Sequence, residues 1–408
     1  MQAKTLKKKQ RPFTGFVHLN ARAYGLLTAI TASALLLMWR LSSQTGNYLN
    51  SFEIATKHQL YLNSPWWKSV SNIYGPYYVL LHATYAIGRN VWTFRLASVV
   101  VGILVIAALY WIVSTWHGYK IGLLASAICL TSFGFLAISR EATPISSQLL
   151  VTIFLVIAID LIKRNPGFKS LLFLVAVFAC SLYVPGAVWL IIAALALTYK
   201  QIMEVFGQLS SSLRLTIIGT GLLLITPIAN FLIRFSSMSN LATWLGYGLN
   251  GKVHALKEFL TNFLHTPMTL FIHSYAINPI STLGHLPLIP IAYSALIVVG
   301  LITYITRISN WRWRTLIFLL GASWLLCGFN VISPLSLIPL LSICGATGIA
   351  YILKEWYSVF PRNQIARAIG LIVAVGVLSL GAFYGVRSYI VAWSHTPSVI
   401  ASYKSKLN

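Results

Sequence analysis

The sequence has very little negative charge. Only 6 of its 408 residues are Asp or Glu, against 30 Lys and Arg, and charged residues make up 9% of the chain. A soluble domain carries roughly 25% charged residues. The excess of basic residues gives a formal net charge of +24. Nucleic-acid binding needs a soluble basic surface, for which this composition leaves no room, so no nucleic-acid partner is expected.

Common catalytic and metal-binding motifs are also missing. The four cysteines all lie in apolar runs and none forms a CxxC pair, which argues against a disulfide framework or a cysteine metal site. The chain has no Gly-rich phosphate loop, no HExxH and no Ser-His-Asp order. We therefore predict no cofactor. A divalent metal is left open, but no feature of the sequence supports it.

Long apolar runs dominate what is present. Hydrophobic residues make up 57% of the chain, and runs such as "LASVVVGILVIAALYWIV" from Leu96 are continuous. A transmembrane β-barrel would show short alternating segments, whereas runs of this length cross a membrane as helices. The predicted fold is an all-α polytopic membrane protein of about 11 spans. They are placed at 23–42, 93–114, 119–138, 147–162, 170–183, 186–199, 215–235, 287–306, 315–331, 335–353 and 368–387.

The basic residues predict how the chain is oriented. If the basic tail 1–22 is cytoplasmic and 170–183 forms a hairpin with 186–199, the later basic loops are cytoplasmic too. A single long helix bent at Pro185 would instead place the last three basic groups outside. The positive-inside rule favours the hairpin. We predict a multi-pass protein of the cell membrane, with a cytoplasmic N-terminus, an extracytoplasmic active face and anionic lipid as a partner.

The connections between the spans are unequal in length. We predict one transmembrane domain over 1–408, with no soluble domain and with two long outer loops at 43–92 and 236–286. Functional residues concentrate on such loops. In the second loop, apolar side chains repeat with helical spacing, which predicts an interfacial amphipathic helix. They are Val253, Leu256, Leu260, Phe263 and Leu264.

The sequence has only 6 carboxylate side chains, so the role of individual ones can be considered separately. Glu53 lies in the first outer loop, and Lys57 would share its face if the segment is helical. A carboxylate beside a cation suits a general base working next to a phosphate, but an ordinary surface pair has the same spacing. Asp160 precedes Arg164 by four residues, which favours a structural pair along one helix.

Arg140 and Glu141 end the third predicted span. They either cap that span, with the arginine extending to water, or bind a lipid-linked phosphate at the membrane surface. The residues alone leave both interpretations open.

Two stretches of the chain resemble a known family. Residues 74–100 read "YGPYYVLLHATYAIGRNVWTFRLASVV", and residues 119–160 read "YKIGLLASAICLTSFGFLAISREATPISSQLLVTIFLVIAID". They resemble the membrane glycosyltransferases of the GT-C fold, in particular the protein O-mannosyltransferase and aminoarabinose-transferase-like superfamily. The matching motifs are Gly75-Pro76 with Tyr77 and Tyr78, Gly88, Arg95-Leu96-Ala97-Ser98, and Ser139-Arg140-Glu141-Ala142.

This resemblance implies a GT-C-like bundle that transfers a sugar from a polyprenyl-phosphate-linked donor to an acceptor on the outer face of the membrane. It implies Glu53 as the catalytic base. The substrate-binding residues that it implies are Lys57, Tyr74, Tyr77, Tyr78, His82, Arg95, Arg140 and Glu141. The chain departs from the family pattern where Phe52 replaces an Asp and Thr143 replaces an Arg. An inactive polyprenyl-phosphate-binding relative and a transporter or flippase of lipid-linked sugar are the alternatives.

Overall fold

The computed structural model describes residues 14–62, 65–234, 238–246, 256–273, 283–307, 309–403 and 405–406. The first half contains α1 Thr14–Met38, β1 Tyr48–Leu49, α2 Ser51–Leu62, α3 Trp67–Val70, α4 Gly75–Gly88, α5 Val91–His117, α6 Tyr119–Leu130, α7 Phe133–Arg140, α8 Ser146–Arg164 and α9 Phe168–Ser181. The second half contains α10 Ala187–Gln208, α11 Ser211–Arg234, α12 Met238–Trp244, α13 Leu256–Phe271, α14 Ile291–Thr306, α15 Trp311–Gly328, α16 Ile338–Val359, α17 Gln364–Arg387, α18 Pro397–Ser402 and β2 Ser405–Lys406.

The fold is a bundle of apolar helices, and the all-α prediction is confirmed. Within the described ranges, seven helices are long and apolar enough to cross a membrane, or eight if the bent pair α6 and α7 counts as one span. Each predicted span coincides with a helix or with this pair. The exception to the helical pattern is β1, which pairs antiparallel with β2 over two residues near the C-terminus. The tail residues 1–13 and parts of the second loop lie outside the described residues.

The third predicted span is broken, which the apolar pattern did not predict. α6 and α7 meet at a bend of 71°. At the break, the hydroxyls of Thr131 and Ser132 donate hydrogen bonds back to the carbonyls of Ala127 and Ile128, a contact that bends helices. The backbone N–H of Gly134 is diverted to the Leu288 carbonyl, 3.1 Å away. As a result α7 is buried along its whole length, and its last residues reach the protein interior.

The predicted hairpin is present as two packed helices, α9 and α10, joined through a turn in which Gly186 has a φ of +75°. α10 runs further than the predicted span 186–199 and takes in Lys200 and Glu204. Lys, Gln, Met and Glu all favour helices, so the helix continues past its apolar part.

The predicted amphipathic helix is α13, although its expected first residue, Val253, lies outside the described ranges. Two of its aromatic side chains pack on protein: Phe259 lies 4.3 Å from the Phe329 ring and Phe263 stacks 5.4 Å from the Trp324 ring. The helix therefore rests on α15 rather than only on a lipid surface.

Asp160 has different partners from the predicted one. Its Oδ1 accepts a hydrogen bond from the Trp116 indole at 2.7 Å and lies 3.9 Å from the Arg312 Nε. The contacts join α5, α8 and α15, whereas Arg164 on the same helix makes only a more distant electrostatic contribution. The predicted i,i+4 pair is thus replaced by a contact between helices, because Asp160 is fully buried.

α14 and α16 approach each other closely through glycines. A Cβ atom added at Gly300 would lie 1.9 Å from the Cys344 carbonyl oxygen, and one at Gly348 would lie 2.0 Å from the Leu296 carbonyl oxygen. Small residues permit this close approach of backbones, which is a usual source of helix association in membranes.

Gly348→Ala is expected to lower the thermal unfolding midpoint of the detergent-solubilised protein, because the added methyl group overpacks the crossing at a cost of roughly 1–3 kcal/mol. Gly376→Ala is the matched control, since a Cβ there meets nothing within 4 Å. Equal midpoints for the two variants would contradict the close crossing.

Candidate functional site

Glu53 begins the site at the first turn of α2, where it completes a capping box. The Asn50 side-chain oxygen accepts a hydrogen bond from the Glu53 backbone N–H at 2.8 Å, and Glu53 Oε2 accepts one from the Asn50 N–H at 3.2 Å. This reciprocal pair satisfies two backbone donors at the start of the helix. Both side chains are fully buried.

Arg95, on the first turns of α5, binds the Glu53 carboxylate with a fork of two hydrogen bonds. The Nε donates to Oε1 at 2.7 Å and the Nη2 donates to Oε2 at 2.8 Å. The other donors bind the loop before α2: Nη1 reaches the Leu41 carbonyl and the Thr45 hydroxyl, and Nη2 reaches the Tyr48 carbonyl, at 2.8–3.0 Å. All five N–H groups of the guanidinium are therefore used.

The Glu53 carboxylate is equally saturated. Besides the two bonds from Arg95 and one from Asn50, its Oε1 accepts a bond from the Ala142 backbone N–H at 3.1 Å. A carboxylate offers about four acceptor positions, and all are filled. Glu53 is therefore fully engaged in a buried ion pair, and acting as the predicted base would require this pair to open first. Arg95, predicted to bind phosphate, has no donor left for one.

Arg140, the last residue of α7, differs from Arg95 in having donors to spare. Its side chain is 2% exposed, its Nη2 donates to the Trp39 carbonyl, and its guanidinium lies 5.2 Å from the Tyr389 ring. The Nε and Nη1 groups are buried and have no hydrogen-bond partner among the described residues. Buried N–H groups are normally paired, so this arrangement suits an anion. The burial rules out the alternative in which Arg140 extends to water.

Glu141 follows Arg140 and is also buried, at 6% exposure. Its Oε1 accepts a bond from the Tyr403 hydroxyl at 3.4 Å, and the Asn50 side chain also hydrogen-bonds to it. Burial, and after it the neighbouring Glu53 carboxylate, hold the pKa of Glu141 well above its usual range, against the opposing influence of Arg95. Glu141 is therefore a carboxylate whose charge is poorly compensated.

Two of the three predicted tyrosines, Tyr74 and Tyr77, line an apolar cavity next to this cluster. Tyr74 and Tyr77 form one end of a cavity of about 430 Å³, whose other walls come from α5, α8 and α9. The Tyr77 hydroxyl lies 2.8 Å from the Ser98 hydroxyl, one turn of α5 beyond Arg95. Tyr78 packs edge-on to Tyr77 at 5.9 Å. Burial raises the pKa of both Tyr77 and Tyr78, the latter to about 12, so both remain hydroxyl donors at neutral pH.

The remaining two predicted residues are Lys57 and His82. The Lys57 ammonium lies 5.7 Å from the Tyr61 ring, on the same helix, and the partner of Glu53 is Arg95 instead. The Nε2 of His82 is buried without a hydrogen-bond partner in the described part of the chain. Over those same residues, no group of three His, Cys, Asp or Glu side chains is arranged to hold a metal ion.

Sequence reasoning missed Asn50, Tyr389 and Tyr403. The capping pattern Asn50-x-x-Glu53 is visible in the sequence and could have identified the first of them. Nothing local identifies Tyr403, because it reaches the site from 353 residues beyond Asn50. Its position follows from the C-terminal chain returning to the first loop, where β2 pairs with β1.

The fold is that of the GT-C membrane glycosyltransferases. Solved structures similar to this chain include ArnT from Cupriavidus metallidurans bound to undecaprenyl phosphate, with 12% identity, a TM-score of 0.55, and coverage of 96% of this chain and 77% of ArnT. The Archaeoglobus fulgidus oligosaccharyltransferase in its apo form is similar at 13% identity and a TM-score of 0.55, over 98% of this chain.

The oligosaccharyltransferase AglB from the same archaeon, in complex with an inhibitory peptide and a dolichol-phosphate, matches at 11% identity, a TM-score of 0.55 and 97% of this chain. The chain spans 57% of the length of these oligosaccharyltransferase structures. No protein-family model matches the sequence, and no curated protein is similar to it in sequence. These similarities establish the fold.

Glu53→Gln is expected to destabilise the protein by about 3–5 kcal/mol, because it leaves the buried Arg95 charge uncompensated. Arg95→Lys is expected to destabilise it too, because buried acceptors in the preceding loop lose their donors. Lysine keeps the charge but cannot provide the fork. Thermal unfolding in detergent measures the effect, with the exposed Glu355→Gln as the control. A Glu53→Gln protein as stable as Glu355→Gln would contradict the structural role of the pair.

Proposed function

We propose that this protein is a membrane glycosyltransferase that takes a sugar from a polyprenyl-phosphate-linked donor and transfers it to an acceptor. The observation that carries the proposal is the buried Arg140 guanidinium in a GT-C fold, with two donors that have no partner among the described residues. The next residue in the chain, Glu141, is a buried carboxylate, so the same segment offers a group that can hold a phosphate and one that can accept a proton.

The phosphate of the donor binds Arg140 in this proposal. A phosphate oxygen placed against Nε and Nη1 satisfies both buried donors and compensates the positive charge, and bonds of this type are among the strong ones. The apolar cavity ending at Tyr77 supports the lipid part of the donor, because its walls are almost entirely hydrocarbon and it ends one helical turn from the ion pair.

The structures of similar fold support a lipid phosphate as the ligand. ArnT is described with undecaprenyl phosphate and the archaeal oligosaccharyltransferase with a dolichol-phosphate. For this chain we propose a ligand of the same chemical class, together with the orientation favoured by the basic loops: a cytoplasmic N-terminus, with the site on the extracytoplasmic side of the cell membrane.

The reaction also requires a base for the acceptor. The resemblance assigns that role to Glu53, and this assignment stays a prediction. A second candidate function is favoured by the saturated Glu53 carboxylate: a protein that binds polyprenyl phosphate without transferring a sugar. The two functions share the phosphate site and differ only in turnover.

Arg140→Met is expected to lower the affinity for undecaprenyl phosphate at least tenfold, because the charge that holds the phosphate is lost. The ligand-free variant should be no less stable than the unchanged protein, since an incompletely paired buried charge is removed. Titration with undecaprenyl phosphate in nanodiscs, followed by thermal unfolding, measures both quantities. Arg89→Met is the control, because Arg89 is an exposed arginine between α4 and α5. Unchanged affinity in Arg140→Met would exclude the phosphate site.

The unchanged protein, reconstituted in proteoliposomes, is expected to transfer labelled sugar from at least one undecaprenyl-phosphate hexose or pentose to material in a membrane extract. Binding of undecaprenyl phosphate without any transfer would favour the binding protein over the enzyme. Neither binding nor transfer would contradict both candidate functions.

A further inference from the structure

We infer that Glu141 is the carboxylate that takes the proton from the acceptor, and that the Glu53–Arg95 pair and Tyr403 position it. This assignment rests on the proposed glycosyltransferase function. It concerns a residue that the sequence analysis placed among the substrate-binding groups.

The two carboxylates of the site have opposite environments. Glu53 receives a bidentate contact from a guanidinium and two backbone N–H bonds, which fill its acceptor positions and stabilise its charge. Glu141 is contacted by a neutral hydroxyl and a neutral amide. A buried carboxylate with neutral hydrogen-bond partners binds a proton more readily than a carboxylate in water.

Glu53 also fixes the position of Glu141. The bond from the Ala142 N–H to Glu53 Oε1, at 3.1 Å, ties the peptide that follows Glu141 to the buried ion pair. The Glu141 backbone is extended, with φ −99° and ψ 140°, which ends α7 and turns the chain at this residue. A carboxylate held in this way has little freedom to move away from the site.

Arg140 and Glu141 are neighbours in the chain, so their Cα atoms are about 3.8 Å apart. Their side chains also share a neighbour, because the Tyr389 ring lies 5.2 Å from the Arg140 guanidinium and Tyr389 interacts electrostatically with Glu141. We therefore place a phosphate on Arg140 and a base at Glu141 within reach of one sugar and one acceptor. In the reaction, the acceptor oxygen forms a bond to the anomeric carbon and its proton passes to the Glu141 carboxylate. The bond from the anomeric carbon to the phosphate oxygen breaks, and polyprenyl phosphate leaves with the electron pair.

Tyr403 completes the surroundings of Glu141 from the C-terminal segment. Its hydroxyl accepts from the Asn50 amide at 3.1 Å and donates to Glu141 Oε1 at 3.4 Å, and its ring lies 5.8 Å from the Arg95 guanidinium. The segment that carries it is joined to the first loop by the two-residue pairing of β1 and β2. Opening that short pairing and these side-chain contacts would give an acceptor access to the carboxylate.

The charged and titratable groups around Glu141 determine how activity should depend on pH. They are Glu53 on α2, Arg95 on α5, Tyr389 on the turn Ser388–Ala392 and Tyr403. Arg140 precedes Glu141 in the chain at the end of α7. Burial raises the pKa of Glu141, while the Tyr403 hydrogen bond opposes that rise. The base must be ionised, so kcat/KM falls as the pH falls through the pKa of Glu141. Removing the Tyr403 hydroxyl raises this pKa and moves the acid limb to higher pH.

The test compares four proteins in proteoliposomes with the undecaprenyl-phosphate sugar that supports transfer: the unchanged protein, Glu141→Gln, Tyr403→Phe and the exposed control Glu355→Gln. Glu141→Gln should lose at least 100-fold in transfer, the usual size of a general-base contribution, while it keeps its affinity for undecaprenyl phosphate. Tyr403→Phe should shift the acid limb of kcat/KM to higher pH, whereas Glu355→Gln should behave like the unchanged protein.

Glu141→Gln with transfer within a few-fold of the unchanged protein would overturn the assignment, as would a Tyr403→Phe protein whose pH profile is not shifted. Loss of undecaprenyl phosphate binding by Glu141→Gln would show a structural role and would also overturn it. Absence of transfer by the unchanged protein is a distinct result, because it removes the proposed function on which the assignment rests.

Discussion

The site depends on one guanidinium group. Arg95 uses its five N–H groups to hold the carboxylate of Glu53, a hydroxyl and two carbonyls of the preceding loop. In a buried, apolar setting each of these bonds is stronger than it would be in water, and each group would be costly to leave unpaired. This one side chain therefore fixes the loop before α2 and the first turn of α2 on α5. Through Glu53 it also fixes the chain after α7.

The bend between α6 and α7 provides the other half of the site. Without it, Arg140 and Glu141 would end a straight span at the membrane surface. Because the hydroxyls at the break divert the chain by 71°, both side chains are instead buried near the Glu53–Arg95 pair. The site thus contains two arginines of different character. One is saturated by protein groups, and the other has two donors without a partner in the described part of the chain.

The sequence predicted the helical membrane fold and the position of each span well, because long apolar runs allow few other structures in lipid. The family motifs also led to the prediction that Glu53, Arg95, Arg140 and Glu141 belong to one site. The sequence did not predict which of these charges pair. Lys57 is the cation nearest to Glu53 in the sequence, but the actual partner of Glu53 is Arg95, 42 residues after it. Pairing across such distances follows from the packing of helices, which local spacing does not determine.

The role of the C-terminal segment could not be predicted from local sequence patterns either. Trp393 is buried, and Tyr403 reaches the carboxylates, although nothing in the composition of residues 388–403 distinguishes them from an ordinary end of a membrane helix. Their role comes from the two-residue pairing of β2 with β1, which local sequence patterns do not reveal.

The most direct test of the account is a structure determined by electron cryomicroscopy with undecaprenyl phosphate bound. We expect the phosphate within hydrogen-bond distance of the Arg140 Nε and Nη1, with the Glu53–Arg95 pair still closed. A phosphate bound elsewhere in the bundle, or one held by Arg95 after the pair has opened, would contradict it.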